Sequence, residues 1–219
     1  MKPCRIAILA KAPVAGLAKT RLAPALGEAG AAALAARLLA HAVAQAAAAD
    51  LGAVTLWATP DASHAAFVQA RQRHGVVLDV QPDGDLGTRM ARVFEEGFVQ
   101  ADSPILLMGT DAPDLDAMVL RQAAAALQSH EAVFVPAQDG GYALVGLRAA
   151  SPGLLAALFS GMRWSRPQVM AQTRQRLVAA GIAHAELPSV ADIDEPADLQ
   201  HLPDFLRDPT FVSQPESSP

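Results

Sequence analysis

Short apolar runs alternate along the chain with longer stretches in which apolar positions recur every three or four residues. CRIAILA (4–10), AVTLWAT (53–59), GVVLDVQ (75–81) and PILLMGT (104–110) have the length and side-chain character of strands. Residues 29–49, 63–73 and 86–101 between them carry the helical period. Strand and helix in strict alternation predict a parallel sheet wrapped by helices. The continuous hydrophobicity of the runs predicts strands covered on both faces.

The rhythm continues with a helix over 115–129 and the strand AVFVPA (132–137). QDGGYALVGL (138–147) then turns directly into another strand, because adjacent glycines tolerate the positive φ of a hairpin. The sheet is therefore predicted to be mixed and mainly parallel. SPGLLAALF (151–159), a helix over 167–180, the short strand AHAEL (183–187) and a last helix over 195–206 opened by Pro196 complete the reading. Residues 1–206 read as one domain, and the proline- and serine-rich 207–219 as a fraying tail.

Composition narrows the class. The chain has 219 residues, just over half of them hydrophobic, with a formal net charge of -5. It carries no basic footprint for a nucleic-acid polymer or an anionic membrane. Cys4 is the single cysteine, which rules out an intrachain disulfide and suits a reducing cytoplasm. No run reaches the ~18 apolar residues of a membrane span. Residues 29–49 come nearest, and Arg37, His41 and Gln45 at four-residue spacing are expected to form a wet face there.

Ligands of open α/β sheets bind beyond the carboxyl ends of the strands, so the loops there carry the candidate chemistry. The first, LAKAPVAGLAKTRLAP, holds two of the three lysines, Lys11 and Lys19, with Arg21 beside them. Ammonium and guanidinium groups together suit a polyphosphate, Gly16 lets backbone amides approach an anion, and the following helix start favours negative charge. GLAKT echoes a Walker loop but lacks its first glycine and has Ala18 before the lysine. After the third strand, QPDGDLGTRM has Gly84 and Gly87 for tight turns and Asp85 as a helix cap, and it points Arg89 toward the same rim as a candidate for a phosphate or base, with a plain capped turn as the alternative.

Carboxylates supply the opposite charge. Asp111 emerges just past PILLMGT as a hard-oxygen ligand suited to Mg2+ or Mn2+ bridging protein and phosphates, whereas Asp114 and Asp116 suit a helix start. Asp139, beside Gly140, Gly141 and the only tyrosine, Tyr142, is a candidate for a substrate hydroxyl or a metal, with a plain hairpin as the alternative. Asp192 and Asp194, two apart in VADIDEPADL, either share a cation from one side of an extended segment or serve the helix that follows. Trp164 sits in the polar turn GMRWSRP, as core or as a wall for substrate. The six histidines form no pair suited to a metal, and no G-x-S-x-G elbow is present.

Six ordered motifs, KAPVAGLAKTRL, GDLGTRM, GTDAPDL, DGGYALVGL, WS and DIDEPADL, resemble the bacterial DUF2064 proteins, glycosyltransferase-like members of the GT-A, or nucleotide-diphospho-sugar transferase, superfamily. The resemblance spans residues 6–199 and implies a Rossmann-like three-layer α/β/α GT-A fold. The superfamily also holds nucleotidyltransferases such as molybdenum-cofactor and 2-phospholactate guanylyltransferases. The resemblance implies that Lys11, Gly16, Lys19 and Arg21 hold phosphates, that Gly87 and Arg89 lie near the nucleotide, and that Asp111, standing in TDAPD rather than a plain D-x-D, holds the divalent cation. Lys19 and Asp111 then carry catalysis, and Asp139, Gly140, Gly141, Tyr142 and Trp164 face the substrate. The expected activity is a metal-dependent glycosyl transfer from a nucleotide sugar to a small-molecule acceptor. Nucleotidyl transfer from a nucleoside triphosphate and a non-catalytic nucleotide-binding module are the alternatives.

Overall fold

In a computed structural model of the chain, which describes residues 3–149 and 151–207, seven strands form one sheet in the order β3-β2-β1-β4-β6-β5-β7. They are β1 (Arg5–Lys11), β2 (Val54–Thr59), β3 (Val77–Val80), β4 (Ile105–Met108), β5 (Ala132–Pro136), β6 (Tyr142–Leu147) and β7 (His184–Glu186). All neighbouring pairs are parallel except those made by β6, which runs antiparallel to both β4 and β5. The expected mixed sheet and α/β class are what the protein has.

Period-two alternation divides the strand side chains between two cores. Ile6, Ile8, Leu56, Leu106 and Met108 pack under helices α1 (Ala23–Ala48), α2 (Ala65–His74) and α4 (Ala117–Ala126). Ala7, Trp57, Ile105, Leu107 and Phe134 pack under α3 (Leu86–Gln100), α5 (Pro152–Phe159) and α6 (Val169–Ala179). The result is three layers, α/β/α. Cys4 is buried at the foot of β1, and its apolar surroundings push the thiol up to about 12.

Four expectations need correction. First, β3 is an edge strand with Val77 and Val80 exposed, so its apolar run does not report cover on both faces. Second, the Arg37, His41 and Gln45 face of α1 is a docking face rather than a wet one. Arg37 Nε donates to the Leu206 carbonyl, His41 Nε2 meets the Pro113 carbonyl, and Gln45 Oε1 accepts from the Ala117 amide. Although α1 has the length and composition to cross a membrane, its Leu38, Leu39 and Val43 lie in the core. Third, the first loop runs into a 3-10 turn (Thr20–Leu22) and a kink at Gly27 before the long run of α1, so no regular helix start follows it directly. Fourth, residues 195–206 are two 3-10 turns, Pro196–His201 and Asp204–Leu206, with Pro203 between them, because proline removes an amide donor and cannot continue the ladder. Of the expected tail, 208–219 lie outside the described residues.

Candidate nucleotide and metal cleft

The chain passes from β1 to β2 on one side and returns to β4 on the other, so the sheet reverses its order of connection at β1. That is where open α/β sheets leave a crevice at the carboxyl ends of their strands. A cleft of about 590 Å³ opens at this rim. Its lining combines the cations Lys11, Arg21 and Arg89, the carboxylates Asp111, Asp192 and Asp194, and a wall carrying Asp139, Gly141, Tyr142 and Trp164.

Lys19 is the centre of this arrangement. Its backbone is left-handed, at φ 48°, a conformation uncommon outside glycine and asparagine. Its Nζ lies 2.6 Å from Asp111 Oδ1 and 2.8 Å from Asp194 Oδ1, and donates to the Ile193 carbonyl at 2.5 Å. The side chain is only 7% exposed, against 48% and 43% for the two aspartates. Burial opposes the ammonium charge, yet the two carboxylates outweigh it and hold the Lys19 pKa above its ordinary value.

Ile193 explains why Asp192 and Asp194 both reach the cleft. It is fully buried beside Leu22, Leu34 and Leu38, and its amide donates to the Asp111 carbonyl at 2.9 Å. In a locally extended segment its two neighbours therefore face the opposite way, into the cleft. Asp198 serves the backbone, accepting from the amides of Asp194 and Glu195 at 3.0 and 2.6 Å. Asp116 and Asp85 are helix caps, accepting from Val119 and Thr88 at 2.8 Å each.

Asp192 is set apart by its titration. Half-burial first, and then the nearby Asp139 carboxylate, push its pKa up to about 6. A raised carboxyl pKa means that the folded state holds the proton more tightly than the unfolded chain does. Ionised Asp192 thus costs stability above about pH 6, and the cost fades as pH falls towards the ordinary value. Asp192→Asn should stabilise the ligand-free protein at pH 8, by no more than about 1 kcal/mol once solvent screening is allowed for, and the gain should vanish by about pH 4. Thermal melts of both proteins across that range check this; a gain independent of pH would show that charge is not its cause.

The wall that carries Asp139 and Trp164 is two loops fastened together. Gly140 has φ +89°, and a Cβ there would stand 2.0 Å from the Pro167 carbonyl oxygen, while its own carbonyl accepts from the Met170 amide at 2.8 Å. DGG and WSRP therefore form one unit. Asp139 Oδ1 accepts from the Gly141 amide at 2.7 Å. Trp164 packs edge-on against Tyr142 and over Gly87, where a Cβ would meet its indole nitrogen at 2.4 Å. The Trp164 Nε1 and Tyr142 hydroxyl are buried with no hydrogen-bond partner among the described residues, and burial raises the Tyr142 pKa.

The cleft thus gathers Lys11, Lys19, Arg21, Arg89, Asp111, Asp139, Gly141, Tyr142, Trp164, Asp192 and Asp194. Gly16, Gly87 and Gly140 are not part of its lining: Gly16 turns beside the Glu28 carboxylate, and the other two make room for Trp164 and Pro167. Arg21 is exposed and 3.7 Å from Glu195. Sequence reasoning missed Gln81, whose amide donates to the Ala10 and Trp57 carbonyls at 3.1 and 2.9 Å and whose Oε1 accepts from Arg89 at 3.3 Å. A lone polar residue just past an apolar strand was its only signal. It missed Ser165 as well, a second cleft residue at positive φ, 57°.

The donor set is chemically apt for a hard cation. Among the described residues no three His, Cys, Asp or Glu side chains converge to hold a metal by themselves. Mg2+ commonly takes only one or two carboxylates and fills its shell with water and phosphate oxygens, a pattern that half-exposed Asp111 and Asp194 fit.

The three-layer architecture is that of the nucleotide-diphospho-sugar transferase structures. A protein from Desulfovibrio desulfuricans G20 assigned to that group superimposes with a TM-score of 0.82 at 28% identity, over 97% of this chain and 91% of that one. The chain belongs to DUF2064, described as an uncharacterized protein conserved in bacteria, whose family model matches residues 41–166. More distant likenesses show the fold alone. 4-Diphosphocytidyl-2C-methyl-D-erythritol synthase from Anaerococcus prevotii DSM 20548 has a TM-score of 0.60 at 10% identity, over 94% of this chain and 98% of that one. CMP:2-keto-3-deoxy-manno-octonic acid synthetase complexed with CTP has a TM-score of 0.54 at 17%, over 90% and 95%. No curated protein matches the chain.

Proposed function

We propose that the protein is a metal-dependent, nucleotide-using transferase of the cytoplasm that moves a glycosyl group from a nucleotide sugar to a small-molecule acceptor. The observation that carries this reading is the meeting of cations and carboxylates in one cleft. Lys11, Arg21 and Arg89 line it together with Asp139 and Trp164, and Asp111 and Asp194 are drawn together by Lys19. The similarity to the Desulfovibrio protein supports the nucleotide-sugar donor.

Lys11, Arg21 and Arg89 bind and orient the phosphates, and Gln81 braces Arg89 at the ends of β1 and β2. Asp111, with Asp194 or Asp192, holds Mg2+ or Mn2+, which when bound supplies stabilisation for charge growing on the departing diphosphate. Asp139 orients a hydroxyl of the acceptor from the wall it shares with Trp164. Because positioning and electrostatics lower the barrier, no covalent nucleophile from the chain is required. Nucleotidyl transfer from a nucleoside triphosphate is the second reading, favoured by the number of cations that line the cleft.

A thermal-shift screen of nucleoside di- and triphosphates and nucleotide sugars, with and without Mg2+ or Mn2+, tests the proposal. A ligand at a hundredfold its Kd stabilises by about 2.7 kcal/mol, which for a domain of this size is a rise of roughly 5 to 10 °C. A metal-dependent rise with nucleotide sugars supports glycosyl transfer, and one confined to a triphosphate supports the second reading. A metal-independent rise points to a binding module, and no rise with any of them overturns the nucleotide reading.

A further inference from the structure

We propose that Lys19 is an exchangeable counter-ion: in the ligand-free protein its ammonium holds the place of the divalent cation between Asp111 and Asp194, and it moves onto the phosphates when nucleotide and metal bind. This rests on the nucleotide and metal reading of the same cleft and assigns the cleft its order of assembly.

The argument starts from donor counting. An ammonium has three N–H donors, and the three acceptors around Lys19 are Asp111 Oδ1, Asp194 Oδ1 and the Ile193 carbonyl. As placed, it has no donor left for a phosphate. Nor can a divalent cation approach those two carboxylate oxygens without meeting a positive charge already seated on both. The metal and the ammonium compete for one position.

Exchange is open to Lys19 because its four-carbon stem is flexible and lines the cleft, while its main chain is held in the loop at φ 48°. Incoming phosphates offer the ammonium new acceptors, and its departure frees Asp111 and Asp194 for the metal. Metal and nucleotide then favour each other's binding, and by linkage each tightens the other by the same factor.

The sign of one substitution separates this from a fixed role. If Lys19 were a permanent brace that presents the two aspartates, removing it would weaken metal binding. If it is a competing cation, removing it strengthens the binding of metal on its own. Equilibrium dialysis of Mn2+ alone against wild type, Lys19→Met and Lys19→Arg reads the difference. Lys19→Met should bind Mn2+ about tenfold more tightly than wild type, and Lys19→Arg, which keeps the charge, should stay near wild type. Lys19→Gln, which keeps a donor for the Ile193 carbonyl, gives the same reading should the methionine variant not fold.

Lys19→Met and Lys19→Gln binding Mn2+ no more tightly than wild type overturns the proposal. A parallel dialysis with UDP-glucose, CTP or GTP separates this failure from that of the underlying reading. Wild type retaining Mn2+ with one of these, without a gain in the variants alone, leaves the functional reading standing and sinks the exchange. Retention of Mn2+ by none of the proteins under any condition sinks both.

Discussion

Asp111→Ala should abolish metal-dependent nucleotide affinity and lower turnover with the donor that the thermal screen identifies by about a hundred- to a thousandfold, the range found when one preorganised electrostatic contact to a reacting group is lost. Two losses combine. On the proposed reading the carboxylate at the end of β4 holds the cation, and its removal leaves the buried Lys19 ammonium with Asp194 and the Ile193 carbonyl as partners. Asp111→Asn separates them, because the amide keeps an acceptor near Lys19 while giving up the charge. Turnover should fall nearly as far in the asparagine variant, with a smaller loss of thermal stability than in the alanine variant. Titration of nucleotide with and without Mn2+, alongside melts of the two variants, gives the comparison. Retained metal-dependent affinity in Asp111→Ala would remove Asp111 from the metal site.

Gly140→Ala should have the largest effect on stability among substitutions in the cleft wall. Its backbone stands at φ +89°, which strains any side chain, and the added methyl group would lie 2.0 Å from the Pro167 carbonyl oxygen and 2.6 Å from its carbon. Neither atom belongs to a flexible side chain, so one of the two loops must move. The expected cost is at least about 3 kcal/mol, a fall of roughly 6 to 12 °C in Tm. Gly141→Ala is the internal comparison. Its methyl group would meet only the Asp139 carboxylate, at 3.1 Å, and its φ is not left-handed, so the loss there should be markedly smaller. Equal losses at the two positions would mean that the loops are not fastened through Gly140.

The alternation of strands and helices was legible because each strand is a contiguous apolar run and the period of the helices differs from it. The readings that failed did so where a residue's surroundings come from distant sequence. Val77 and Val80 look like core until the sheet order puts β3 at its edge, and Arg37 and Gln45 look like solvent-facing positions until Leu206 and Ala117 arrive beside them. The charges of the cleft were visible as types, which is why most candidates converge on it. Their pairing was not visible: nothing local to KTRL says that Lys19 binds two carboxylates, and nothing local to DGG says that Pro167 fills the space where a side chain would be.

The bond between Lys19 and Asp194 joins residues 175 positions apart. A ribosome delivers the chain from its amino end, so the loop that carries Lys19 emerges long before its partner Asp194 does. Throughout that interval the loop has its charge but not its anchor, since contacts of long sequence separation form only after the intervening chain has been ordered. The cleft therefore matures only after residue 194 has been delivered, and a polypeptide truncated before it lacks the anchor of Lys19.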